Sequence, residues 1–226
     1  AEAADLLDAL ADADLAMLAR PASPRLDRQG AVALSSARLR NLLRRLLDTA
    51  GEAMPDEDRL LEIERQFRGP TAPAGLRLPL VGTAICIYRD EWWLESSRWA
   101  PAPVGVEWCG EASLAWAGGQ VDWRPTIGQG VSAAALAGRP CWLRPRAGGE
   151  RLRSHPARPS RSLKNLLQEA GVPPWLRDAL PLLWVGDELA WIAGVGGAAP
   201  FACAPGEAGW VPVWSRWPGS AANRRA

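Results

Sequence analysis

Residues that usually carry catalysis are scarce in this sequence of 226 residues. Of its 26 basic residues only Lys164 is a lysine, so 25 are arginines, and there is a single histidine, His155. No Walker-type glycine loop, GxSxG elbow, HExxH pair or spaced aspartate pair on a common face occurs. The sequence therefore predicts no catalytic residue, and we expect the chain by itself to be inactive as an enzyme.

Long hydrophobic runs are also missing. No apolar run approaches the roughly 20 residues that a membrane span requires. The acidic start AEAADLLDAL lacks the positively charged segment with which a signal peptide begins. We expect a cytoplasmic protein with no membrane partner.

Cysteine is sparse, and its spacing does not suit a metal. Cys86, Cys109, Cys141 and Cys203 form no CxxC pair, and only His155 could add an imidazole ligand. Each cysteine lies among apolar or aromatic neighbours, which is typical of buried free thiols. The sequence predicts no metal site.

Hydrophobic spacing divides the chain into three parts of an α+β protein. Residues 1–70 follow the 3.6-residue period of helices and predict a helical domain. After the linker GPTAPAG the period shifts toward 2, so residues 71–138 are predicted to be linker and β-rich segment. Residues 139–226 combine a short helix with a hairpin and predict a small α+β domain with a flexible tail from Gly209.

Three helices are predicted within residues 1–70. The first carries an apolar stripe from Leu6 to Leu18, and Ser35 or Ser36 can cap the second. Pro55 is predicted at the first helical position of the third helix. The second helix has five leucines at the spacing of one buried face: Leu39, Leu42, Leu43, Leu46 and Leu47.

Positive charge is concentrated in one segment of the C-terminal part, opposed by Glu150 alone. This segment is a loop rich in glycine and proline, and it leads into a helix that Ser162 can cap and Gly171 can end. Guanidinium groups, backbone N–H groups and a helix N-terminus all suit phosphate, so RNA backbone is the predicted partner, with a solvated loop as the alternative. The cations are Arg139, Arg144, Arg146, Arg151, Arg153, Arg158, Arg161 and Lys164.

The second helix has a basic outer face, and the chain is rich in tryptophan. Arg38, Arg40, Arg44 and Arg45 lie opposite the leucines, where they could follow a phosphate backbone or pair with acids of neighbouring helices. Trp175 follows two prolines in a predicted surface turn and is the tryptophan most suited to contact a partner. The tryptophans predicted to pack in the core are Trp92, Trp108, Trp116, Trp184 and Trp191.

Residues 148–194 resemble the C-terminal domain of bacterial tRNA(Ile)-lysidine synthetases. The motifs that carry the resemblance are, in order, Gly149-Glu150-Arg151, Ser162-Leu163-Lys164 and Pro173-Pro174-Trp175 with Arg177. Two further stretches, ARLRNLLRRLLDTAGEAMPDEDRLLEI and LRLPLVGTAICIYRDEWWL, resemble the helical substrate-binding domain of that family and the hairpin that follows it.

The resemblance implies an ATP-dependent ligase of the N-type ATP pyrophosphatase class. Such an enzyme adenylates the wobble cytidine of tRNA(Ile) with a CAU anticodon, and L-lysine then attacks to form lysidine. The family's catalytic motif, Ser-Gly-Gly-x-Asp-Ser, is absent from this sequence. The resemblance therefore implies that ATP, Mg²⁺ and lysine bind in an N-terminal domain that this chain lacks.

In this interpretation the chain recognises and positions tRNA(Ile). The alternatives left open are a protein-interaction or scaffold module and, on exposed tryptophans, a carbohydrate-binding one. The sequence also leaves open a homodimer. Charge and resemblance together assign RNA binding to Arg151, Arg153, Arg158, Arg161, Ser162, Lys164, Trp175 and Arg177.

Overall fold

The computed structural model describes residues 2–21, 25–72, 74–96 and 101–216. Its contacts separate two compact units, one containing the described residues up to Ser96 and the other containing residues 101–216. Helices and antiparallel sheets occur, so the α+β class is confirmed.

The first unit combines four helices with a four-stranded antiparallel sheet in the order β1-β4-β3-β2. The strands β2, β3 and β4 form two successive hairpins, and Arg89-Asp90 is the turn between β3 and β4. The elements are α1 (Glu2–Leu18), β1 (Leu26–Asp27), α2 (Arg28–Ala33), α3 (Ser36–Thr49), α4 (Glu57–Arg68), β2 (Leu76–Pro79), β3 (Thr83–Tyr88) and β4 (Glu91–Ser96).

Side-chain caps determine where α3 and α4 begin. The hydroxyl of Ser35 accepts a hydrogen bond of 3.4 Å from the backbone N–H of Arg38, so Ser35 is the cap of α3. For α4 the prediction was wrong: the helix begins at Glu57, because the Asp56 carboxylate caps it through the N–H of Arg59 at 2.8 Å. Pro55 therefore precedes the helix.

One core joins the helices of the first unit to its sheet. Phe67 of α4 meets Trp92 of β4 edge to face, with ring centroids 5.0 Å apart. The segment of residues 71–138, which was predicted as one part, is therefore divided between the two units. Its first strands pack in the same core as the helices of the first unit. Helix α1 confirms the first predicted helix, but of its apolar stripe only Leu18 is buried; Leu6, Leu7, Leu10 and Met17 are exposed. The sequence also predicts that the proline stretch from Pro21 to Pro24 ends this helix, but residues 22–24 lie outside the described residues.

The second unit holds a five-stranded sheet ordered β14-β13-β12-β9-β5, a four-stranded sheet ordered β6-β7-β15-β8 and the small hairpin β10-β11. β12 and β13 form the hairpin predicted in the C-terminal part, and Gly186-Asp187 is its turn. The elements are β5 (Val106–Trp108), β6 (Ser113–Trp116), β7 (Gly119–Ile127), β8 (Val131–Ser132), α5 (Ala133–Leu136), β9 (Cys141–Arg144), β10 (Arg151–Leu152), β11 (Arg161–Ser162), α6 (Leu163–Glu169), β12 (Leu182–Val185), β13 (Glu188–Ile192), β14 (Gly196–Gly197) and β15 (Ala208–Arg216).

The predicted flexible tail contains a strand. β15 pairs with β7 over nine positions, from Ala208 opposite Ile127 to Arg216 opposite Gly119, so the prediction of a tail from Gly209 was wrong up to Arg216. The tail prediction for residues 217–226 lies outside the described residues.

Tryptophans fill much of the second core, as predicted. Trp116 is 1% exposed, and its indole Nε1 donates a hydrogen bond of 2.7 Å to the carbonyl of Ala179. Trp108 stacks on Trp123 with ring centroids 4.0 Å apart. The prediction of core packing is confirmed for Trp108, Trp116 and Trp191 in this unit and for Trp92 in the first unit. Trp184 is half-buried and packs against the second core.

Candidate nucleic-acid interface

The hairpin β10-β11 and the start of α6 form the framework of the basic segment. Arg151 lies opposite Ser162, and the buried Leu152 lies opposite Arg161. Ser162 caps α6 by accepting a hydrogen bond of 3.4 Å from the N–H of Asn165, as the sequence predicted. Several residues of the predicted site therefore share one short structural unit.

The loop between the two strands is held closed by its own arginines. Arg151 donates from Nη2 to the carbonyl of Ser160 at 2.7 Å and from Nε to its hydroxyl at 3.2 Å. Arg153 donates from Nε to the carbonyl of Arg158 at 3.1 Å, and from Nη2 to the carbonyl of Pro156. Both residues are exposed, and neither guanidinium forms an ion pair with a carboxylate among the described residues.

Three of the eight cations form ion pairs. Arg139 pairs with Glu188 at 2.8 Å, and Arg146 approaches Asp178 at 3.6 Å. Nη1 of Arg161 donates to Glu169 at 2.6 Å, and this contact raises the pKa of Arg161 and lowers the pKa of Glu169.

The other members of the basic segment differ in their contacts. Arg144 packs over the ring of Trp142, with its guanidinium carbon 5.7 Å from the ring centroid. Arg158 and Lys164 are exposed and, among the described residues, have no ion-pair partner. These two side chains are the most available to a phosphate.

Trp175 and Arg177 lie in the turn after α6. Trp175 is half-buried in a short 3₁₀ helix, Pro174–Leu176. Arg177 donates from Nε to the carbonyl of Val172 at 3.0 Å, so its guanidinium closes the turn. The single histidine, His155, is exposed, and its Nδ1 accepts a hydrogen bond of 3.1 Å from the N–H of Ala157.

Glu150 has a role that sequence reasoning missed. The sequence suggested a charge opposing the arginines and a member of the Gly149-Glu150-Arg151 motif. The structure shows that the carboxylate is buried and accepts hydrogen bonds from the backbone N–H groups of Ala147 and Gly148. The one signal in the sequence was the placement of an acid directly after two glycines.

The basic outer face of α3 is largely paired, as the alternative interpretation predicted. Acids of α1 and α4 lie against it because the helices pack side by side, and Asp14 is itself buried. Arg44 is exposed. The pairs are Arg38 with Asp14, Arg40 with Glu64 at 3.5 Å, and Arg45 with Asp12 at 2.9 Å and Asp8 at 3.2 Å.

The thiols are free, but not all are buried. Cys86 and Cys141 are buried as predicted, while Cys109 is exposed and Cys203 half-buried, because both lie in loops. Desolvation raises the pKa of Cys109 and of Cys141, so both stay protonated at neutral pH. Within the described ranges no group of three or more His, Cys, Asp or Glu side chains could hold a metal ion, and no helix is long and apolar enough to cross a membrane.

Comparison with known families finds two matching domains. Residues 26–103 match the family described as TilS substrate binding domain, and residues 141–214 match the TilS substrate C-terminal domain. A solved structure titled "Crystal structure of TILS C-terminal domain" covers 50% of this chain, and 98% of its own, at 20% identity and a TM-score of 0.41, too low to support an argument.

The chain is similar to curated bacterial proteins named tRNA(Ile)-lysidine synthase. The protein of Azoarcus sp. (strain BH72) is 47% identical over 99% of this chain and 48% of its own length. That of Aromatoleum aromaticum is 46% identical over 81% of this chain and 43% of its own length. That of Escherichia coli O157:H7 is 32% identical over 96% and 49%. The chain spans about half the length of the curated relatives it matches.

Proposed function

Because this chain belongs to the tRNA(Ile)-lysidine synthase family, whose substrate-binding and C-terminal domains it carries, we propose that it binds and positions tRNA(Ile) with a CAU anticodon. The observation that carries the proposal is the exposed basic surface of the β10-β11 hairpin and the start of α6. There, Arg151, Arg153, Arg158 and Lys164 present positive charge without a neutralising carboxylate among the described residues.

The proposed contacts fall into three groups. Arg158 and Lys164 bind phosphates directly. Arg151 and Arg153 bind phosphates with those guanidinium N–H groups that do not already donate hydrogen bonds within the loop. Arg161 contributes only when a phosphate competes with Glu169, and Ser162 contributes by capping α6. Trp175 and Arg177 offer an aromatic ring and a guanidinium at the adjoining turn.

The chemistry of the whole enzyme is part of the same proposal. The parent protein is an ATP-dependent ligase that forms lysidine at the wobble cytidine, and ATP, Mg²⁺ and L-lysine bind residues outside this chain. The chain alone is then inactive. We further propose a cytoplasmic location, a tRNA-binding role for the first unit with its helices, and a tRNA-binding role for the α+β C-terminal part; a homodimer stays open.

Salt-dependent binding tests the proposal. The chain is titrated with tRNA(Ile) bearing the CAU anticodon and with an unrelated tRNA at several salt concentrations. About four phosphate contacts predict a slope of log affinity against log salt of roughly −3. Arg158→Ala and Lys164→Ala should each reduce the slope by about 1.

A matched control is Arg124→Ala, which removes one exposed arginine from β7 of the same unit. It should leave the slope unchanged. Equal losses in all three variants would indicate a general effect of charge and would remove the assignment of the hairpin.

The protein-interaction alternative depends on another observation. Leu6, Leu10 and Met17 lie exposed on α1, and large exposed apolar side chains on one helix face suit a protein contact. Such a contact would be nearly insensitive to salt, so the same titration separates the two functions.

A further inference from the structure

Glu150 does not neutralise the arginines around it. Its side chain is buried, and none of the eight cations of the segment lies at ion-pair distance from it within the described residues. Instead, Oε1 accepts a hydrogen bond of 2.8 Å from the backbone N–H of Gly148 and a second one from the N–H of Ala147. The carboxylate therefore binds the backbone of the preceding turn.

That turn requires an external constraint. Gly148 and Gly149 have φ angles of +99° and +84°, and glycine loses more conformational freedom on folding than any other residue. The carboxylate of Glu150 limits this freedom, and its backbone carbonyl accepts a hydrogen bond of 2.9 Å from the N–H of Leu163. One residue thus joins the turn, β10 and the first residue of α6.

The carboxylate of Glu150 uses only one of its two oxygens for these hydrogen bonds. Its Oε2 is buried, and no donor among the described residues reaches it. Burying a charged oxygen without a partner costs free energy. The restraint on the turn therefore comes from Oε1, an acceptor that a neutral glutamine also supplies.

We propose that Glu150 is a positioning residue for RNA binding: it fixes the turn so that Arg151, at the start of β10, and Lys164, in the first turn of α6, face the same phosphate backbone. This inference rests on the proposed function. It predicts a change in RNA affinity opposite in sign to the change that electrostatics alone would cause. Removing a negative charge from a basic surface should strengthen RNA binding by electrostatics alone, whereas loss of positioning should weaken it.

Three variants of the full chain test the inference with the CAU-anticodon tRNA(Ile) at fixed salt. Glu150→Ala should raise the Kd about tenfold, despite its more positive net charge. Glu150→Gln keeps the accepting oxygen and should restore the affinity to that of the unaltered chain or better. Glu188→Ala removes an exposed acid from the same unit and should leave the Kd unchanged or lower it.

The inference is overturned if folded Glu150→Ala binds tRNA as tightly as the unaltered chain. Should Glu150→Ala fail to fold, Glu150→Gln decides, and a tenfold loss in that variant would overturn the inference. A chain that binds no tRNA refutes the proposed function instead. In that case amide hydrogen exchange decides: unchanged protection of Leu163 and Gly148 in Glu150→Ala or Glu150→Gln would show that the carboxylate positions nothing.

Discussion

The carboxylate of Glu169, at the end of α6, accepts hydrogen bonds from the guanidinium of Arg161, which lies on β11 eight positions earlier; the one from Nη1 to Oε2 measures 2.6 Å. Both side chains are about half exposed, so the ion pair adds little to stability. Its main consequence is that Arg161 is less available to phosphate than its position in the sequence suggests.

We therefore expect Glu169→Gln to tighten tRNA binding. The neutral side chain releases Arg161, so the affinity should rise by roughly twofold to fivefold. The slope of log affinity against log salt should become steeper by almost the amount that one phosphate contact contributes. Equilibrium titration at several salt concentrations measures both quantities. Glu188→Gln makes the same change of charge beside Arg139. If it gave the same steepening, the effect would come from net charge and not from Arg161.

Gly130 should tolerate no side chain. Its φ is +78°, and a Cβ would lie 2.2 Å from the carbonyl oxygen of Trp210 on the neighbouring strand. Gly138 has φ +68° with no atom within 4 Å of a Cβ, so Gly138→Ala isolates the backbone strain of about 1–2 kcal/mol. Gly130→Ala should cost a further ~1–3 kcal/mol in the free energy of unfolding, measured by urea denaturation. Equal losses in the two variants would contradict the close approach of β8 and β15.

Asp27 should make the first unit sensitive to acid. The backbone N–H of Gly30, and next the guanidinium of Arg20, hold the pKa of Asp27 below its ordinary value of 3.8. A lowered folded-state pKa means that the stabilisation is present above pH 3.8 and is lost as the pH falls through the folded pKa. Asp27→Asn should thus lower stability near neutral pH, and its difference from the unaltered chain should shrink below about pH 4.

This prediction is measured by thermal unfolding of the Asp27→Asn variant and of the unaltered chain between pH 3 and pH 7. Asp27 caps α2 through this hydrogen bond, which the asparagine can still accept from Gly30, so the change tests the charge and not the cap. A difference in stability that stays constant with pH would show that the charge contributes nothing.

The indole N–H of Trp116 should matter more than that of Trp123. Trp116 donates to Ala179 at 2.7 Å, whereas Nε1 of Trp123 is buried with no hydrogen-bond partner among the described residues. Trp116→Phe leaves a buried carbonyl without its donor and should cost ~1–3 kcal/mol more than Trp123→Phe. Urea denaturation of the two variants provides the comparison. The same cost in both would mean that packing alone determines it.

Local structure was predictable wherever neighbours within about four positions decide it. The leucine spacing of α3 and the capping of α6 by Ser162 depend only on helical geometry, and the structure confirms both. The turn after α6 depends likewise on Gly171, whose φ of +70° only glycine adopts readily. For the same reason the basic segment and the motifs of the family could be recognised from the sequence.

Long-range contacts could not be predicted in this way. β15 forms because β7, more than eighty positions earlier in the chain, offers it nine partners, and no local pattern in the tail contains that information. Likewise, α1 and α4 determine which arginines of α3 are paired, and the buried carboxylate of Glu150 binds backbone rather than guanidinium. The sequence by itself determined the longer helices, the position of the charge and the family, but not the short helices α2 and α5. Only the tertiary structure decided which charges stay available to a phosphate, because the pairing of charges depends on elements distant in sequence that folding brings together.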